Sequence, residues 1–266
     1  MKQESSSRTK LSELLSKWPK GVVATLPWLE LSGVSRDLVK KYQRSGWVRR
    51  IEHGAYSRLE DTVGWPGALH SVQYQLKLPV HLGAKRALEL QGYAHYLRQQ
   101  EGGELRIFGP KGTRLPTWFL RHDWGVKLLF SPADLFPGKM DLGLTERTDG
   151  DFSIRLASPE RAALETLNDV PRLQSFGEAR LLMEGLTTLR PELVQQLLEA
   201  CRSVKAKRLF LFLAEEAGHA WVKELNMLKL NLGKGKRSIV KGGRLDKKYQ
   251  ITVEPNTNSG PENERL

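Results

Sequence analysis

The sequence predicts a mixed α/β (α+β) protein: an N-terminal winged helix-turn-helix, then a larger α/β domain with C-terminal helices and a basic β-hairpin. Two short capped helices precede a hairpin pattern between Thr25 and Leu59. Short strand patterns follow Leu105, and a series of amphipathic helices starts at Ser158. The predicted domains are 1–65 for the winged helix, 66–255 for the α/β domain and 256–266 for a disordered tail.

The chain opens with an amphipathic helix pattern. Apolar residues between Leu11 and Trp18 recur at the i, i+3, i+4, i+7 spacing of a helix that packs on one side. Pro19 ends this pattern. The short apolar run from Gly21 to Ala24 predicts a strand that pairs with the hairpin further on.

Two helices joined by a tight turn follow. Thr25 is a good N-cap, and Pro27 fits the first helical turn, where its missing N–H costs nothing. Gly33 breaks the first helix. Ser35 caps the second, and Val34 and Val39 flank that cap at the spacing of a hydrophobic staple.

The second helix separates apolar from cationic residues. Leu38, Val39 and Tyr42 share one face and are expected to pack on a core. The residues on or beside the opposite face are Arg36, Lys40, Lys41 and Arg44. Gly46 then ends the helix in a left-handed conformation.

A β-hairpin, the wing, follows this helix. Trp47 to Ile51 predicts one strand, Glu52 to Gly54 the turn and Ala55 to Leu59 the return strand. Arg49 and Arg50 are adjacent, so they should point to opposite faces of the strand. This order of elements and its cationic bias predict DNA binding. The candidate DNA contacts are Ser35, Arg36, Lys40, Lys41, Arg44, Arg49, Arg50, His53 and Arg58.

The rest of the chain predicts the larger domain. Gly64 to Gly67 has the composition of a linker. Predicted strands are Leu105 to Phe108, Trp118 to Arg121 and Val126 to Phe130, followed by a hairpin around Thr148 to Gly150. Predicted helices are Gly83 to Gln91, Pro159 to Asn168, Gly177 to Leu186, Pro191 to Arg202 and Lys205 to Ala217.

Composition narrows the class of protein. The chain has 266 residues, a formal net charge of +12 and a pI near 9.8, which favours partners with phosphate backbones. Cys201 is the only cysteine, so no intrachain disulfide forms, and its place on an apolar stripe predicts a packed thiol. No signal peptide or apolar run of membrane-spanning length is evident, so we expect a cytoplasmic protein.

A second basic cluster lies near the C-terminus. Between Met227 and Val253, eight Lys and Arg stand against Asp246 as the one acid. The spacing of Leu245, Tyr249, Ile251 and Val253 suits one face of a strand, which the turn from Lys241 to Arg244 precedes. The cluster either protects an edge strand from pairing or forms a second phosphate-binding surface. The candidate residues are Lys234, Lys236, Arg237, Lys241, Arg244, Lys247 and Lys248.

The sequence lacks the motifs of known catalytic sites. The run from Gly233 to Ser238 is not a phosphate-binding Walker loop, since Leu230 stands where that loop needs Gly and Arg237 where it needs Ser or Thr. The histidines lack metal-ligand spacing. Asp246-Lys247-Lys248 keeps a metal-dependent nuclease as an alternative. We therefore predict a protein that is not an enzyme and has no cofactor or metal.

Several stretches together resemble one protein family. They are the helix from Leu11 to Trp18, then SRDLVKKYQRSGWVRRIEHGAYSR, HLGAKRALELQGYAHYL and LASPERAALETL. Over residues 10–253 the sequence resembles the AbiEi antitoxins of type IV toxin–antitoxin (abortive infection) systems, in the subgroup with an N-terminal winged helix.

The resemblance implies a function. Such proteins are bacterial autorepressors that bind inverted repeats in double-stranded DNA at their own promoter. They antagonise a nucleotidyltransferase-like toxin without requiring a direct complex. By position, Ser35 to Ser45 would be the reading helix and Trp47 to Leu59 the wing. The resemblance supplies no catalytic residues and leaves the segment after Gly233 unassigned.

Three functions therefore stay open. The leading one is a DNA-binding repressor, monomeric or weakly dimeric, with an antitoxin domain. The second is a protein-interaction module that binds and neutralises a toxin directly, and the third is a nucleic-acid-processing enzyme. Copurification with the neighbouring gene product would favour the second, and metal-dependent cleavage of plasmid or transfer RNA the third.

Overall fold

The computed structural model describes residues 2–93 and 103–254; the predicted disordered tail, 256–266, lies outside the described residues. The chain divides into two compact units whose segments alternate along the sequence. Unit 1 comprises Met1–Leu82, Gln99–Asp134 and Leu144–Leu156, and unit 2 comprises Gly83–Arg98, Leu135–Gly143 and Ala157–Leu266. Helices and strands occur in each unit, which confirms the predicted mixed α/β class. The boundary at residue 65 stays a prediction.

Unit 1 begins with the element order of a winged helix-turn-helix. Its elements are α1 Lys2–Lys17, β1 Ala24–Thr25, α2 Leu26–Leu31, α3 Arg36–Arg44, β2 Val48–Glu52 and β3 Ala55–Arg58. The strands form an antiparallel sheet in the order β1-β3-β2. A strand beside the wing was expected at Gly21 to Ala24, and the structure places it at Ala24–Thr25.

One apolar cluster holds these elements together. Leu14 of α1, Trp18 directly after α1, Leu29 of α2, and Val39 and Tyr42 of α3 are all buried in it. Burial of one large apolar side chain contributes about 1.5–3 kcal/mol relative to exposure. Packing therefore fixes helices that would be too short to be stable alone.

The predicted linker at Gly64 to Gly67 is wrong, because a helix begins there. This helix, α4, is Trp65–His70, with Gly64 as N-cap and Pro66 in its first turn. Gly67 allows close backbone contact, since a Cβ at that position would lie 1.8 Å from the carbonyl oxygen of Gly21. The glycines and the proline of this segment, which are typical of a loop, here begin a helix and allow a close backbone contact.

The chain continues from α4 into a π-helical turn, Ser71–Gln75, which carries two bridging glutamines. Gln75 accepts a hydrogen bond from the N–H of Thr25 (2.9 Å) and donates one to the carbonyl of Val23 (2.8 Å). Gln73 accepts from the N–H of Arg155 and donates to its carbonyl, each at 2.8 Å. Each side-chain amide thus satisfies one backbone N–H and one backbone carbonyl, as a neighbouring strand would.

The second part of unit 1 is a five-stranded sheet in the order β6-β5-β4-β8-β7. The strands are β4 His81–Leu82, β5 Glu104–Gly109, β6 Lys127–Pro132, β7 Leu144–Asp149 and β8 Phe152–Ala157. β4 pairs antiparallel with β5 and parallel with β8, and β5 pairs parallel with β6. The predicted strands around Leu105 and Val126 and the hairpin near Gly150 are confirmed, whereas β4 was not predicted.

The strand predicted at Trp118 to Arg121 is wrong, since this segment is the helix α6, Thr117–Arg121. Trp118 and Phe119 are both buried, although they are adjacent. Trp124 packs against both rings and donates from its indole nitrogen to the carbonyl of Phe119 at 2.8 Å. The aromatic run has a high strand propensity, and this local packing overrides it.

Unit 2 is built mainly from helices. They are α5 Ala84–Leu90, α7 Pro159–Asp169, α8 Phe176–Glu184, α9 Pro191–Ala200 and α10 Val204–Glu216. All five predicted helices in this part are confirmed, with ends within two residues of the prediction or less. Arg161 and Glu165 form a buried ion pair at 2.9 Å inside this bundle. Arg161 also donates to the carbonyls of Met140 and Leu142, which satisfies the buried charge.

A small sheet ends the described part of unit 2. Its strands are β9 Arg237–Ser238, β10 Arg244–Asp246 and β11 Ile251–Val253, in the order β10-β11-β9. The antiparallel pair β10 and β11 confirms the predicted basic hairpin. The prediction of a single strand from Leu245 to Val253 is wrong. The N–H of Tyr249 donates to the Asp246 carboxylate at 2.6 Å and closes a turn between β10 and β11.

Candidate nucleic-acid interface

The helix-turn-helix is closed by local hydrogen bonds. The Thr25 hydroxyl accepts from the N–H of Trp28, so Thr25 caps α2 as predicted. In the turn, the N–H of Gly33 donates to the carbonyl of Glu30 at 3.0 Å, and Gly33 has a φ of +79°. Val34 follows and is buried in the core, so the start of α3 is anchored there.

Helix α3 presents one face to the core and the other to solvent. The Ser35 hydroxyl accepts from the N–H of Leu38 at 3.4 Å, which confirms the predicted cap. Val39 and Tyr42 are buried, and Leu38 packs partly against the same core. The four predicted cations, Arg36, Lys40, Lys41 and Arg44, are all exposed. The burial pattern therefore points the cationic face away from the protein.

The cations on α3 differ in their partners. Arg36 pairs with Glu30 at 3.1 Å, and Lys40 pairs with Asp37 at 3.2 Å. Both pairs are exposed, so each stabilises the fold by about 1 kcal/mol or less, and a phosphate can compete for the cation. Within the part of the chain that the structure describes, Lys41 and Arg44 have no ion pair. These two positive charges are already available to a ligand.

The wing presents cations along one strand and a histidine at its tip. β2 pairs with β3 from Val48 opposite Arg58 to Glu52 opposite Ala55, with a register shift before Glu52. Arg49 and Arg50 are both exposed, although alternation placed them on opposite faces. Arg49 donates to the carbonyl of Asp61 at 3.3 Å, which turns it towards the base of the wing. His53 is exposed in the turn.

Arg58, one of the predicted DNA contacts, is bound within the winged helix-turn-helix itself. Its Nη2 donates to the carbonyl of Leu15 at 2.6 Å, and its guanidinium lies 6.0 Å from the ring centre of Trp18. Its Nε stands 4.0 Å from the Asp61 carboxylate. The side chain is only 19% exposed, because it is turned inwards from the wing to α1. Alternation along the strand could not reveal this, since the partners lie elsewhere in the sequence.

The second basic cluster lies on the C-terminal sheet and the loop before it. All seven predicted residues are exposed, which are Lys234, Lys236, Arg237, Lys241, Arg244, Lys247 and Lys248. Lys248 is committed to a structural contact, because its ammonium binds the Glu215 carboxylate of α10 at 2.5 and 2.7 Å. It is therefore the least available of the seven.

A buried arginine that sequence reasoning missed holds this cluster in place. Arg208 on α10 is only 3% exposed and donates to the carbonyls of Leu232 (2.7 Å), Gly235 (2.6 Å) and Gly233 (3.1 Å). A fourth bond, at 3.3 Å, reaches Gln250 beside β11. Burial lowers the pKa of Arg208, with a smaller contribution from the nearby Arg237 charge. The sequence signal that could have revealed it is the position of this arginine within a largely apolar helix.

Groups associated with other chemistries are inert or absent in the described region. Burial raises the pKa of the Cys201 thiol to about 11, in agreement with a packed side chain. Between residues 2–93 and 103–254, no group of three His, Cys, Asp or Glu could hold a metal ion. The helices of these same residues are too short or too polar to span a bilayer. His95 lies outside the described residues.

Comparison with known proteins identifies the family. Residues 7–99 match a family described as transcriptional regulator, AbiEi antitoxin N-terminal domain, and residues 103–254 match one described as transcriptional regulator, AbiEi antitoxin, type IV TA system. The RV2827C protein from Mycobacterium tuberculosis, a crystal structure, has the same fold over 92% of each chain, with a TM-score of 0.59 and 18% identity. No curated protein sequence matches significantly. The chain therefore belongs to the AbiEi antitoxin family of transcriptional regulators, which act in type IV toxin–antitoxin systems.

Proposed function

We propose that this protein represses its own operon by binding inverted repeats in the promoter through α3 and the wing. One observation carries the proposal: α3 buries Val39 and Tyr42 while every cation on it faces solvent. A helix with one face packed on the core and a cationic face exposed to solvent has the form of a reading helix for the major groove. Binding to the promoter places the protein in the cytoplasm.

The proposed contacts divide into readers and positioners. Arg36, Lys40 and Arg44 are assigned to bases or flanking phosphates, because Arg commonly reads guanine through two hydrogen bonds. The positioning contacts to phosphate are assigned to Ser35, Lys41, Arg49, Arg50 and His53. Breaking the exposed pairs of Arg36 and Lys40 costs little, so DNA can recruit both side chains.

The second basic cluster is proposed as a second phosphate-contacting surface. Arg208 holds the backbone of its loop, so the exposed Lys and Arg project from a fixed support. Fixed charges lose less conformational entropy on binding than mobile ones. Such contacts add affinity that depends on salt and not on sequence.

The decisive experiment is a titration on the protein's own promoter. Arg44→Ala is expected to weaken operator binding by about 1–3 kcal/mol while the circular dichroism spectrum stays unchanged. The matched control is Arg121→Ala, which removes an exposed arginine of unit 1 outside α3 and the wing. Wild-type affinity in Arg44→Ala would refute the proposed orientation of α3.

We further propose that the protein antagonises a nucleotidyltransferase-like toxin encoded beside it, without a stable complex. The family match over residues 103–254 supports this function. The test is co-expression with the adjacent gene: Arg44→Ala should still prevent growth arrest although it has lost operator binding. If that variant loses both functions together, repression alone accounts for the protection. Copurification of the two proteins in high salt would instead favour direct neutralisation.

A further inference from the structure

A groove opens at the base of the wing, on the side away from its tip. Its volume is about 750 Å³. The end of α1, the end of α3 and the segment after β3 form its walls. Its principal residues are Leu15, Lys20, Trp47, Leu59, Glu60 and Asp61. We call this region the wing-base groove.

Two large apolar side chains at the groove face solvent. Trp47 is 52% exposed and Leu59 is 49% exposed. They are cross-strand neighbours, because the N–H of Leu59 donates to the carbonyl of Trp47 at 3.2 Å. Tryptophan is one of the residue types enriched in binding hot spots, and Leu59 beside it extends Trp47 into an exposed apolar patch.

The floor of the groove is already organised. The Asp61 carboxylate accepts from the N–H of Gly21 at 2.9 Å and lies 4.0 Å from Arg58 Nε. Arg58 is fixed in turn by its bond to the carbonyl of Leu15. Because these contacts exist before a partner arrives, binding would cost little ordering of the surface.

The charges at the groove favour a second copy of this chain. Lys20 and Arg58 balance Glu60 and Asp61, so the groove is neutral within a strongly basic protein. Lys20 and Glu60 are both exposed. A contact with two-fold symmetry needs a patch that complements itself, and here each copy can offer Lys20 to Glu60 of the other while the apolar pairs meet between them.

We propose that two copies of this chain associate through their wing-base grooves when they occupy neighbouring half-sites on DNA. The inference rests on the proposed repressor function, which brings two copies together. The groove stands about 17 Å from the wing tip, given five strand residues at roughly 3.3 Å each, so the tip stays free for DNA. A contact built on one apolar pair and exposed ion pairs is weak in solution and becomes effective when DNA raises the local concentration.

The first test compares DNA with one half-site and DNA with two. Wild-type protein should bind the second of two half-sites at least about tenfold more tightly than a lone one. Trp47→Glu should reduce the ratio of these two affinities to about one. The ratio is the readout, because Trp47 lies at the edge of the wing and the added negative charge also lowers the affinity for a lone half-site. Leu120→Glu is the matched control, because Leu120 is 51% exposed in the same unit, outside the groove.

Two results of this titration would overturn the proposal. Retained cooperativity in Trp47→Glu would mean that the copies meet elsewhere. A loss of affinity that is equal at both half-sites, with the ratio kept, would make Trp47 a DNA contact and not a contact between copies. The co-expression test adds a separate outcome: a Trp47→Glu variant that keeps cooperativity but fails to protect against the toxin would assign the groove to the toxin.

A second test does not depend on operator binding. Trp47→Cys places an accessible thiol in the groove, whereas Cys201 is buried. Mild oxidation of concentrated protein should give a disulfide-linked dimer of Trp47→Cys and much less of Leu120→Cys. Equal yields would refute the groove contact. If the wild-type protein binds no promoter DNA while the selective dimer still forms, the repressor function fails and the association stands.

Discussion

Arg58 Nη2 lies 2.6 Å from the carbonyl oxygen of Leu15, and this bond ties the wing to the opening helix across 43 residues of sequence. Arg50, on the other strand of the same wing, is exposed. The two arginines therefore have different roles. Arg58 is bound to α1, whereas Arg50 faces solvent, where we propose that it contacts DNA.

Arg58→Ala should destabilise the protein. The change leaves the carbonyl of Leu15 without this partner and removes the cation beside Trp18, so we expect a loss of about 1–3 kcal/mol. Urea unfolding followed by tryptophan fluorescence measures it. Arg50→Ala is the matched control, expected to stay within about 0.5 kcal/mol of wild type while the salt dependence of DNA binding becomes weaker. The opposite ranking in stability would show that Arg58 is not the structural arginine.

Arg208→Ala should loosen the C-terminal loop. Four carbonyl contacts depend on this one buried guanidinium, and their loss should cost at least about 3 kcal/mol. Hydrogen exchange should rise over residues 232–250. Arg208→Lys should restore little, because an ammonium cannot reproduce the planar set of donors. Unchanged exchange in the alanine variant would contradict this account.

Reversing three charges in the second basic cluster should weaken the salt dependence of DNA binding. If Lys236, Arg237 and Lys241 each meet a phosphate, changing all three to Glu lowers the slope of log K against log salt by about 2–3. The control reverses Lys139, Arg172 and Lys223, which are exposed cations of the same unit outside the cluster. A slope equal to wild type in the first variant would leave the cluster as protection of a sheet edge.

The Glu160 carboxylate should make stability depend on acid pH. Burial by itself would raise its pKa, but hydrogen bonds from the side chain and N–H of Arg190 outweigh burial and hold the pKa below 4.5. The unfolded chain therefore binds this proton first as the pH falls. The stabilisation is fully present above 4.5 and is lost as the pH falls through the folded pKa.

Glu160→Gln tests this dependence. At neutral pH the variant should be less stable than wild type by about 1–3 kcal/mol, since it loses the paired charge. The difference should narrow as the pH falls below 4.5, when wild type loses the same charge. Thermal unfolding of both proteins at pH 7, 5, 4 and 3 measures this difference in stability. A difference that is constant with pH would mean that the Glu160 pKa is not lowered by folding.

The helix-turn-helix could be predicted from the sequence because its signals are local. The hydroxyls of Thr25 and Ser35 each cap a helix by accepting a hydrogen bond from an N–H three residues ahead. Gly46 adopts a φ of +73° just after the helix that it ends. The predictions that failed depend on distant contacts. Gly67 lies in a helix because it meets Gly21, and Trp118 lies in a helix because Trp124 covers it.

The candidate site divides in the same way. The cationic face of α3 follows from the spacing of Val39 and Tyr42, so the sequence alone determined which residues point outward. The sequence could not separate Arg58 from Arg50, since both follow the pattern of a wing arginine. Their difference was decided by the tertiary structure, which brings the carbonyl of Leu15 to one of them. Periodicity determines which face a side chain occupies, whereas only the folded chain determines what that face meets.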